Sequence, residues 1–192
     1  MSAGDPYSYA DAPGVLKNKF GIKDAAKLDA VERVHVVQRI KQGAPGGKFD
    51  LDHLKAIHKH LFQDVYAWAG KIRTVELAKG GHHFQPVGYI ETGIANIHGR
   101  IAKQKFFVGS ALDEFAKEVA RIIGDLNYVH PFREGNGRTQ LQYLKLLSRR
   151  AGHRIDLTRL KPADWQDASR AAHDADYSLM EHAIAAALLR RT

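Results

Sequence analysis

The sequence contains no cysteine among its 192 residues. This absence excludes a disulfide framework and any zinc site built on thiolates. The sequence also lacks a continuous apolar run of about eighteen residues, the length that a membrane-spanning helix needs. The opening Met1-Ser2-Ala3-Gly4-Asp5 does not have the charged and then apolar pattern of a signal peptide. We therefore expect a soluble cytoplasmic protein, with secretion as the open alternative.

Acidic residues are fewer than basic ones, with 21 Asp and Glu against 29 Lys and Arg and a net charge of +8. Such an excess permits a nucleotide, a nucleic acid or an acidic protein as partner, and it is equally compatible with a solvated basic surface. A basic helical module that binds nucleic acid is one alternative, and it would bind DNA with a steep dependence on salt. The chain has no recognition-helix pattern, so we do not expect nucleic acid as a partner.

The length and the hydrophobic fraction of 44% are typical of a single globular domain with its own core. Residues 1–14 contain Pro6, Pro13 and several small polar residues, which favour an extended segment over a helix. We predict an extended N-terminal arm over residues 1–14 and one domain over residues 15–192.

Apolar residues recur at helical spacing through most of the chain. Asp50 is the predicted N-cap of the second helix, and Ser110 with Asp113 is the predicted capping box of the fourth. The apolar stripe at 111–128 is the strongest, so that helix is predicted to be central. The fold class is therefore mainly α. The predicted helices cover residues 28–40, 50–68, 88–103, 111–128, 137–151, a segment from 162, and 176 to the end.

One segment carries a β signal. Residues 71–77 alternate between apolar and polar side chains, which is the period of a strand. Gly80 and Gly81 lie in a predicted turn, and residues 83–86 can return as a second strand. The resulting hairpin must pack against the helices, because an isolated hairpin is marginally stable.

Three histidines lie on the second predicted helix. His53, His58 and His60 are separated by five and two residues, which does not place all three on one face. We interpret them as surface or satisfied core histidines and predict no metal site from them.

A single stretch of nine residues holds a base, a carboxylate, an amide, two arginines and two glycines. Its proline and glycines interrupt a helix, so we predict a tight loop that leads into a new helix starting near Gly137. Backbone N–H groups at a helix start, together with the helix dipole, make an anion site that suits phosphate. The stretch is His130-Pro131-Phe132-Arg133-Glu134-Gly135-Asn136-Gly137-Arg138.

The side chains of this stretch indicate a reaction class. Arg138 opposes the helix dipole unless its donors meet a phosphate. Glu134 beside a phosphate indicates a bridging Mg²⁺, and His130 can accept a proton near neutral pH. The residues therefore predict phosphoryl or nucleotidyl transfer. Neither a P-loop nor a dinucleotide fingerprint fits, because the Gly-Lys-Ser/Thr ending is missing and Gln140 occupies the position of the third glycine.

This stretch resembles the signature of the Fic family, His-Pro-Phe-x-Asp/Glu-Gly-Asn-Gly/Lys-Arg, and matches every specified position. Doc-type kinases carry Ala and Lys in the middle, so Gly135-Asn136-Gly137 is similar to the AMP-transferring members. A weaker resemblance links the earlier part of the chain to small toxin-like and bacterial-effector Fic proteins. It rests on Tyr9, Leu16-Lys17-Asn18-Lys19, Gly21-Ile22, Leu28 and Glu32.

The resemblance implies a Fic-type helical domain with a β-hairpin flap over the active site. It also implies transfer of AMP from ATP, with Mg²⁺ as cofactor, to a Ser, Thr or Tyr hydroxyl of a target protein. His130 would be the general base and Glu134 would hold Mg²⁺. Gly135, Asn136 and Gly137 would hold the α-phosphate, while Arg138 would grip the β- and γ-phosphates.

Two neighbouring residues and the flap receive supporting roles. We expect Phe132 to be a buried anchor of the loop, and we assign Arg133, at the family's variable position, only backbone contacts. The flap resembles a docking edge to which a target segment adds as an extra strand, with a plain connecting hairpin as the alternative. The docking candidates are Ile72, Arg73, Thr74, Val75 and Glu76.

Many Fic proteins carry an inhibitory helix with the pattern Ser/Thr-x-x-x-Glu-Gly/Asn. Ser110 and Glu114 have the spacing, but Phe115 follows them, so the pattern is absent. The resemblance thus implies the class inhibited in trans by a small helical antitoxin, whose Glu would pair with Arg138. An unregulated enzyme, or one whose inhibitory segment was trimmed off, would show the same pattern. The resemblance also implies type II topoisomerase ATPase subunits as targets, or host small GTPases if the chain is an effector. Transfer of another phosphate-linked group is the enzymatic alternative.

Overall fold

The computed structural model describes residues 5–189, and this part of the chain is mainly helical, as predicted. Three short antiparallel strand pairs accompany the helices, and single 3₁₀ turns lie at Val87–Tyr89, Lys105–Phe107 and Leu157–Arg159. The helices are α1 (Ala25–Gln42), α2 (Leu51–Phe62), α3 (Ile90–Lys103), α4 (Leu112–Val129), α5 (Asn136–Ala151), α6 (Pro162–His173) and α7 (Ser178–Ala187). The strand pairs are β1 (Ser8–Tyr9) with β2 (Ala12–Leu16), β3 (Ala78–Lys79) with β4 (His82–His83), and β5 (Arg154–Ile155) with β6 (Leu188–Leu189).

Helix α4 lies at the centre of the fold and packs against α3, α5, α6 and α7, which confirms its predicted position. Phe115, Val119, Ile123 and Leu126 on its apolar stripe are fully or almost fully buried. The predicted capping box is wrong, because the N-cap residue is the one after Ser110 and makes no side-chain cap bond. The Ser110 hydroxyl instead donates to a carbonyl of the preceding turn at 2.9 Å.

Helix α1 begins at its N-cap Asp24, whose side chain accepts a bond from a backbone N–H in the first turn. The sequence predicted the helix but not its buried face. Val34 and Val37 are 57% and 44% exposed, whereas Glu32 is 6% exposed. The Glu32 carboxylate can be buried here because it is hydrogen-bonded to Tyr66 and Arg138, which belong to two other segments.

Helix α2 confirms Asp50 as its N-cap, which accepts from the His53 N–H at 2.9 Å. The helix ends at Phe62, six residues before the predicted end. His53 and His58 are buried and hydrogen-bonded, as expected for satisfied core histidines. Within residues 5–189, no three His, Asp or Glu side chains cluster closely enough to hold a metal ion by themselves.

The β-hairpin is shorter than predicted and begins later. Strand β3 starts at Ala78, so the predicted strand over residues 71–77 is wrong. Gly80 and Gly81 form the two-residue turn, with φ of +60° and +84°, and both conformations favour glycine. Residues 72–76 are not paired with β4, because the buried side chain of Arg73 holds this segment against the loop after α4.

Both ends of the described part, residues 5–189, pair with neighbouring segments of the fold. Strand β2 crosses the boundary predicted between residues 14 and 15, and residues 1–4 of the predicted arm lie outside the described residues. The last helix ends at Ala187 rather than continuing, because β6 turns to pair with β5 just after α5. Residues 190–192 lie outside the described part. Over residues 5–189, none of the helices combines the length and the apolarity needed to cross a bilayer.

Candidate active site

The loop between α4 and α5 has the predicted form, with helix α5 starting one residue before Gly137. His130 caps α4 in the left-handed conformation, with φ 46° and ψ 61°. Gly135 has φ +82°, and a Cβ atom there would lie 2.4 Å from the Phe62 ring. Only glycine therefore allows the loop to pass over α2 and enter α5.

Phe132 is fully buried, which confirms its predicted role as an anchor. Its ring stacks on His58, with centroids 3.9 Å apart. The His58 Nδ1 accepts from the Gly70 N–H at 2.8 Å, so Nε2 carries the proton and donates to the Glu134 carbonyl at 3.0 Å. Burial lowers the pKa of His58 to about 4, against a smaller opposing effect of its backbone bond. This neutral histidine thus joins the anchor, the loop and the segment leading to the hairpin.

His130 is held in the tautomer that a general base requires. Its Nδ1 lies 3.2 Å from the Asn127 carbonyl, which can only accept, so Nδ1 carries the proton and Nε2 has the lone pair. The ring stacks on Phe84 of the hairpin at 3.7 Å. Burial lowers the pKa of His130 to about 4, and the positive charge of Arg73 acts in the same direction. The imidazole is therefore neutral at physiological pH.

Arg73 has a structural position that the sequence did not indicate. Its side chain is 1% exposed, and its guanidinium donates to the carbonyls of His130 at 2.8 Å, Val75 at 2.7 Å and Gln85 at 2.5 Å. Its backbone N–H donates to the Pro131 carbonyl at 2.9 Å. The Arg73 side chain is thus bonded within the protein, and a docking role for this residue stays a prediction. The side chain joins the base of the hairpin to the loop.

The Asn136 side chain is hydrogen-bonded within the loop. Its side-chain oxygen accepts from the Phe132 N–H at 3.0 Å, and its amide nitrogen donates to the Phe132 carbonyl at 2.8 Å. The side chain therefore closes the loop, and its contact with a phosphate stays a prediction. At the start of α5, the N–H groups of residues 136–138 precede the first intrahelical bond, which runs from Thr139 to Gly135. These backbone N–H groups are the candidates for the predicted anion site.

Glu134 and Arg138 face each other at this helix start. The Glu134 carboxylate is 50% exposed and lies 3.5 Å from an Arg138 terminal nitrogen, and it accepts from the Gly135 N–H at 2.8 Å. Arg138 lies over the Phe62 ring at 4.7 Å and is also paired with Glu32 of α1 at 2.5 Å. A single exposed carboxylate matches Mg²⁺, which takes its remaining ligands from phosphate oxygens and water.

A cavity of about 670 Å³ opens over the loop. Its walls come from the hairpin, the loop and α5, the segment before α6, and α6 itself. The sequence did not identify the last two walls, because nothing in their local pattern marks a ligand site. A second, more open depression of about 510 Å³ between α1 and the end of α2 contains no residue of the nine-residue stretch. The first cavity is lined by residues that include His130, Glu134, Arg138, Lys79, Phe84, Leu141, Leu160, Trp165, Arg170 and His173.

The N-terminal segment supports the site from the other side. Arg133, expected to act only through its backbone, forms an ion pair with Asp5 at 2.6 Å. The Tyr7 hydroxyl accepts from the Thr74 N–H at 3.1 Å, and its ring meets Trp68 edge-on. Asp5 and Tyr7 are thus part of the scaffold around the loop.

Comparison with known proteins identifies the family and two similar adenylyltransferases. The sequence model described as "Fic/DOC family" matches residues 48–147. The protein adenylyltransferase VbhT of Bartonella schoenbuchensis is 38% identical over 98% of this chain and 39% of its own length. The chain thus spans well under half of that relative. The probable protein adenylyltransferase y4lH of Sinorhizobium fredii is 38% identical over 85% of both chains.

The fold has a close counterpart among solved structures. The N-terminal Fic domain of a putative cell filamentation protein from Bartonella quintana, a VirB-translocated effector crystallised with bound ADP, superposes with a TM-score of 0.87. It is 26% identical, and the match covers 97% of this chain and 95% of that one.

Proposed function

Because this chain belongs to the Fic/DOC family, we propose that it is a protein adenylyltransferase that moves AMP from ATP to a hydroxyl group of a target protein. The observation that carries this proposal is the state of His130. Its imidazole is neutral, lines the cavity, and has its proton on the nitrogen that faces the Asn127 carbonyl. A base with this tautomer can take a hydroxyl proton on Nε2 without prior reorganisation.

In the proposed reaction, the target oxygen forms a bond with the α-phosphorus of ATP as its proton passes to His130. The bond from the α-phosphorus to the bridging oxygen breaks, and pyrophosphate leaves. The N–H groups at the start of α5, including that of Gly137, would hold the α-phosphate oxygens with the help of the helix dipole. The N–H of Gly135 already holds the Glu134 carboxylate, so its contribution is indirect.

The terminal phosphates of ATP and the metal ion would lie at the pair formed by Glu134 and Arg138. Arg138 lines the cavity with its guanidinium one-third exposed, so it can donate to the β- and γ-phosphates. Glu134 would hold Mg²⁺, which when bound neutralises the charge of the leaving pyrophosphate. The carboxylate is half exposed and pre-oriented by a backbone bond, which suits a metal that arrives with its nucleotide.

The far side of the cavity offers an apolar place for the base of the nucleotide. Leu141, Leu160 and Trp165 line it, next to polar side chains of α6. An aromatic ring and aliphatic side chains provide the contacts that a planar purine prefers. We propose this end of the cavity as the adenine site, opposite the phosphates.

The target would dock along the segment before the hairpin. Ile72, Val75, Thr74 and Glu76 remain candidates for this edge, since the segment is not paired with β4. Arg73 would contribute by keeping the segment in place beside the loop. Backbone hydrogen bonds with an extended target strand would bring its hydroxyl towards His130.

The proposal includes two protein partners, an antitoxin and a target. The relative VbhT and the toxin-like start of the sequence support a bacterial toxin held by a small helical antitoxin. Such an antitoxin would have to share Arg138, because Glu32 already pairs with it. We propose a bacterial protein target, with type II topoisomerase ATPase subunits as the first to test and small GTPases second. A cytoplasmic place of action stays a prediction.

The direct test is transfer of radioactive label from α-labelled ATP to proteins of a bacterial lysate that contains Mg²⁺. We expect a labelled band with the unaltered chain and none with His130→Ala. His182→Ala removes an exposed histidine of α7 and is the matched control. A band that appears with γ-labelled ATP or with another nucleotide, but not with α-labelled ATP, would contradict AMP transfer and favour transfer of another group.

A further inference from the structure

Glu32 is a buried carboxylate on α1, far from the nine-residue stretch in sequence. It is 6% exposed, and burial of a carboxylate is unfavourable unless the group is paired and hydrogen-bonded. The other buried residues of this helix, Leu28 and Val36, are apolar. The reason for an acid at this position must therefore lie in what it contacts.

Two side chains from different segments meet the Glu32 carboxylate. One oxygen accepts from an Arg138 terminal nitrogen at 2.5 Å, and the other accepts from the Tyr66 hydroxyl. Tyr66 is itself fixed, because it is 2% exposed and stacks on Trp68 at 4.3 Å. Burial raises the pKa of Tyr66, so its hydroxyl keeps its proton and remains a donor.

This contact involves one terminal nitrogen of Arg138, and the other lies 3.5 Å from the half-exposed Glu134 carboxylate, on the side that faces the cavity. A guanidinium has five N–H donors arranged in a planar fork, and Glu32 takes one side of the fork. The Arg138 guanidinium carbon also lies 4.7 Å from the centre of the Phe62 ring, which restricts the side chain further. The side chain is still one-third exposed and lines the cavity. An arginine in this state has already lost much of the rotamer freedom that binding would otherwise remove.

We propose that Glu32, held by Tyr66, is a positioning residue that aims Arg138 at the terminal phosphates of the nucleotide. This inference rests on the proposed function, in which Arg138 contacts the β- and γ-phosphates. Glu32 contacts neither nucleotide nor target, and it acts through the arginine. Its effect is therefore specific to nucleotides that carry phosphates beyond the first.

A competing role would be that Glu32 blocks the site by neutralising Arg138. In that case, removal of its charge would strengthen ATP binding, because one negative charge near the phosphates would be gone. The positioning role, unlike the blocking role, predicts weaker ATP binding for Tyr66→Phe. This change keeps the charge of Glu32 and the aromatic ring, and it removes only the hydrogen bond that orients the carboxylate.

The experiment measures binding of ATP and of AMP by calorimetry in the presence of Mg²⁺. All variants carry His130→Ala, so turnover cannot disturb the measurement. We expect Glu32→Gln to raise the Kd for ATP about tenfold and Tyr66→Phe about threefold, the range of a lost charge-assisted bond. The Kd for AMP should stay within about twofold, since AMP has no phosphate for Arg138 to grip. Asp29→Asn is the matched control, because it removes an exposed carboxylate one turn away on the same helix.

The outcomes separate this inference from the proposed function. Tighter ATP binding by Glu32→Gln, an equal loss for ATP and AMP, or no change in either variant would overturn the positioning role. Selective loss for ATP supports it even if no target becomes labelled, in which case only the transfer reaction is in doubt. If the parent chain binds neither nucleotide, both proposals fail.

Discussion

The buried guanidinium of Arg73 donates a 2.8 Å hydrogen bond to the backbone carbonyl of His130. The same side chain also reaches the carbonyls of Val75 and Gln85, so one residue determines the relative positions of the hairpin and the loop. The conformation of His130, which is left-handed and uncommon for a residue with a side chain, is thereby held from outside the loop.

Arg73→Met should affect both stability and the proposed transfer. Three partly buried carbonyls would lose their donor, and we expect the free energy of unfolding to fall by about 3 kcal/mol. The rate of label transfer should fall further than the folded fraction, because the base would no longer be held against Phe84. Urea unfolding and α-labelled ATP check the two effects. Arg33→Met, at an exposed ion pair, is the control, and equal behaviour of the two variants would contradict this role.

Gly135→Ala should destabilise the fold strongly. The new methyl group would meet the Phe62 ring at 2.4 Å, and alanine would have to adopt φ near +82°. The backbone strain alone costs about 1–2 kcal/mol, and the overlap adds to it. Gly137→Ala is a sharp comparison in thermal unfolding, because nothing lies within 4 Å of the added atom and alanine favours a helix. A loss of stability in Gly137→Ala that matched the loss in Gly135→Ala would refute the steric explanation.

Stability should decrease as the pH falls from about 6.5 to about 4. The pKa of His58 and of His130 is about 4 in the folded protein, so the unfolded chain binds more protons in this range. Each histidine should cost up to about 3 kcal/mol by the lower end, and neither contributes above the unfolded pKa. Urea unfolding at a series of pH values measures this slope. His58→Gln should reduce it relative to His182→Gln, and an unchanged slope would exclude His58 as a cause.

The rate of transfer should stay flat through the neutral range. A histidine base with an ordinary pKa would lose activity near pH 6.5, whereas His130, with its pKa lowered to about 4, stays neutral well below that value. We expect the acid limb of the profile of kcat/KM to lie below pH 5.5, about midway between the two pKa values. Initial rates with a purified target test this, and a limb centred at pH 6.5 would mean that the imidazole is not desolvated in solution.

Features that depend on neighbouring residues in the sequence were predicted correctly. The helices, the cap at Asp50, the central position of α4 and the loop before α5 all follow from spacing, glycine and proline within a few residues. The predicted cap at Ser110 failed because several residues near a helix start can serve, and the geometry of the turn before it decides.

Contacts between distant segments were not predictable in the same way. Arg73 in an alternating segment has the pattern of a surface strand, and only the carbonyls of a remote loop explain its burial. Glu32 was part of the family resemblance, but a helix with several valines gave no reason to bury its carboxylate. Its partner on α5 lies 106 residues away. The walls of the cavity from α6 depend in the same way on how helices pack around α4.

The ion pair of Asp5 with Arg133 and that of Glu32 with Arg138 both join residues more than one hundred positions apart. During synthesis, the early partners of these pairs leave the ribosome long before the later ones exist. The loop therefore remains without its supports until α5 has emerged, and the cavity lacks a wall until α6 follows. A growing chain should be inert towards nucleotide until α6 has emerged, because the site forms only then.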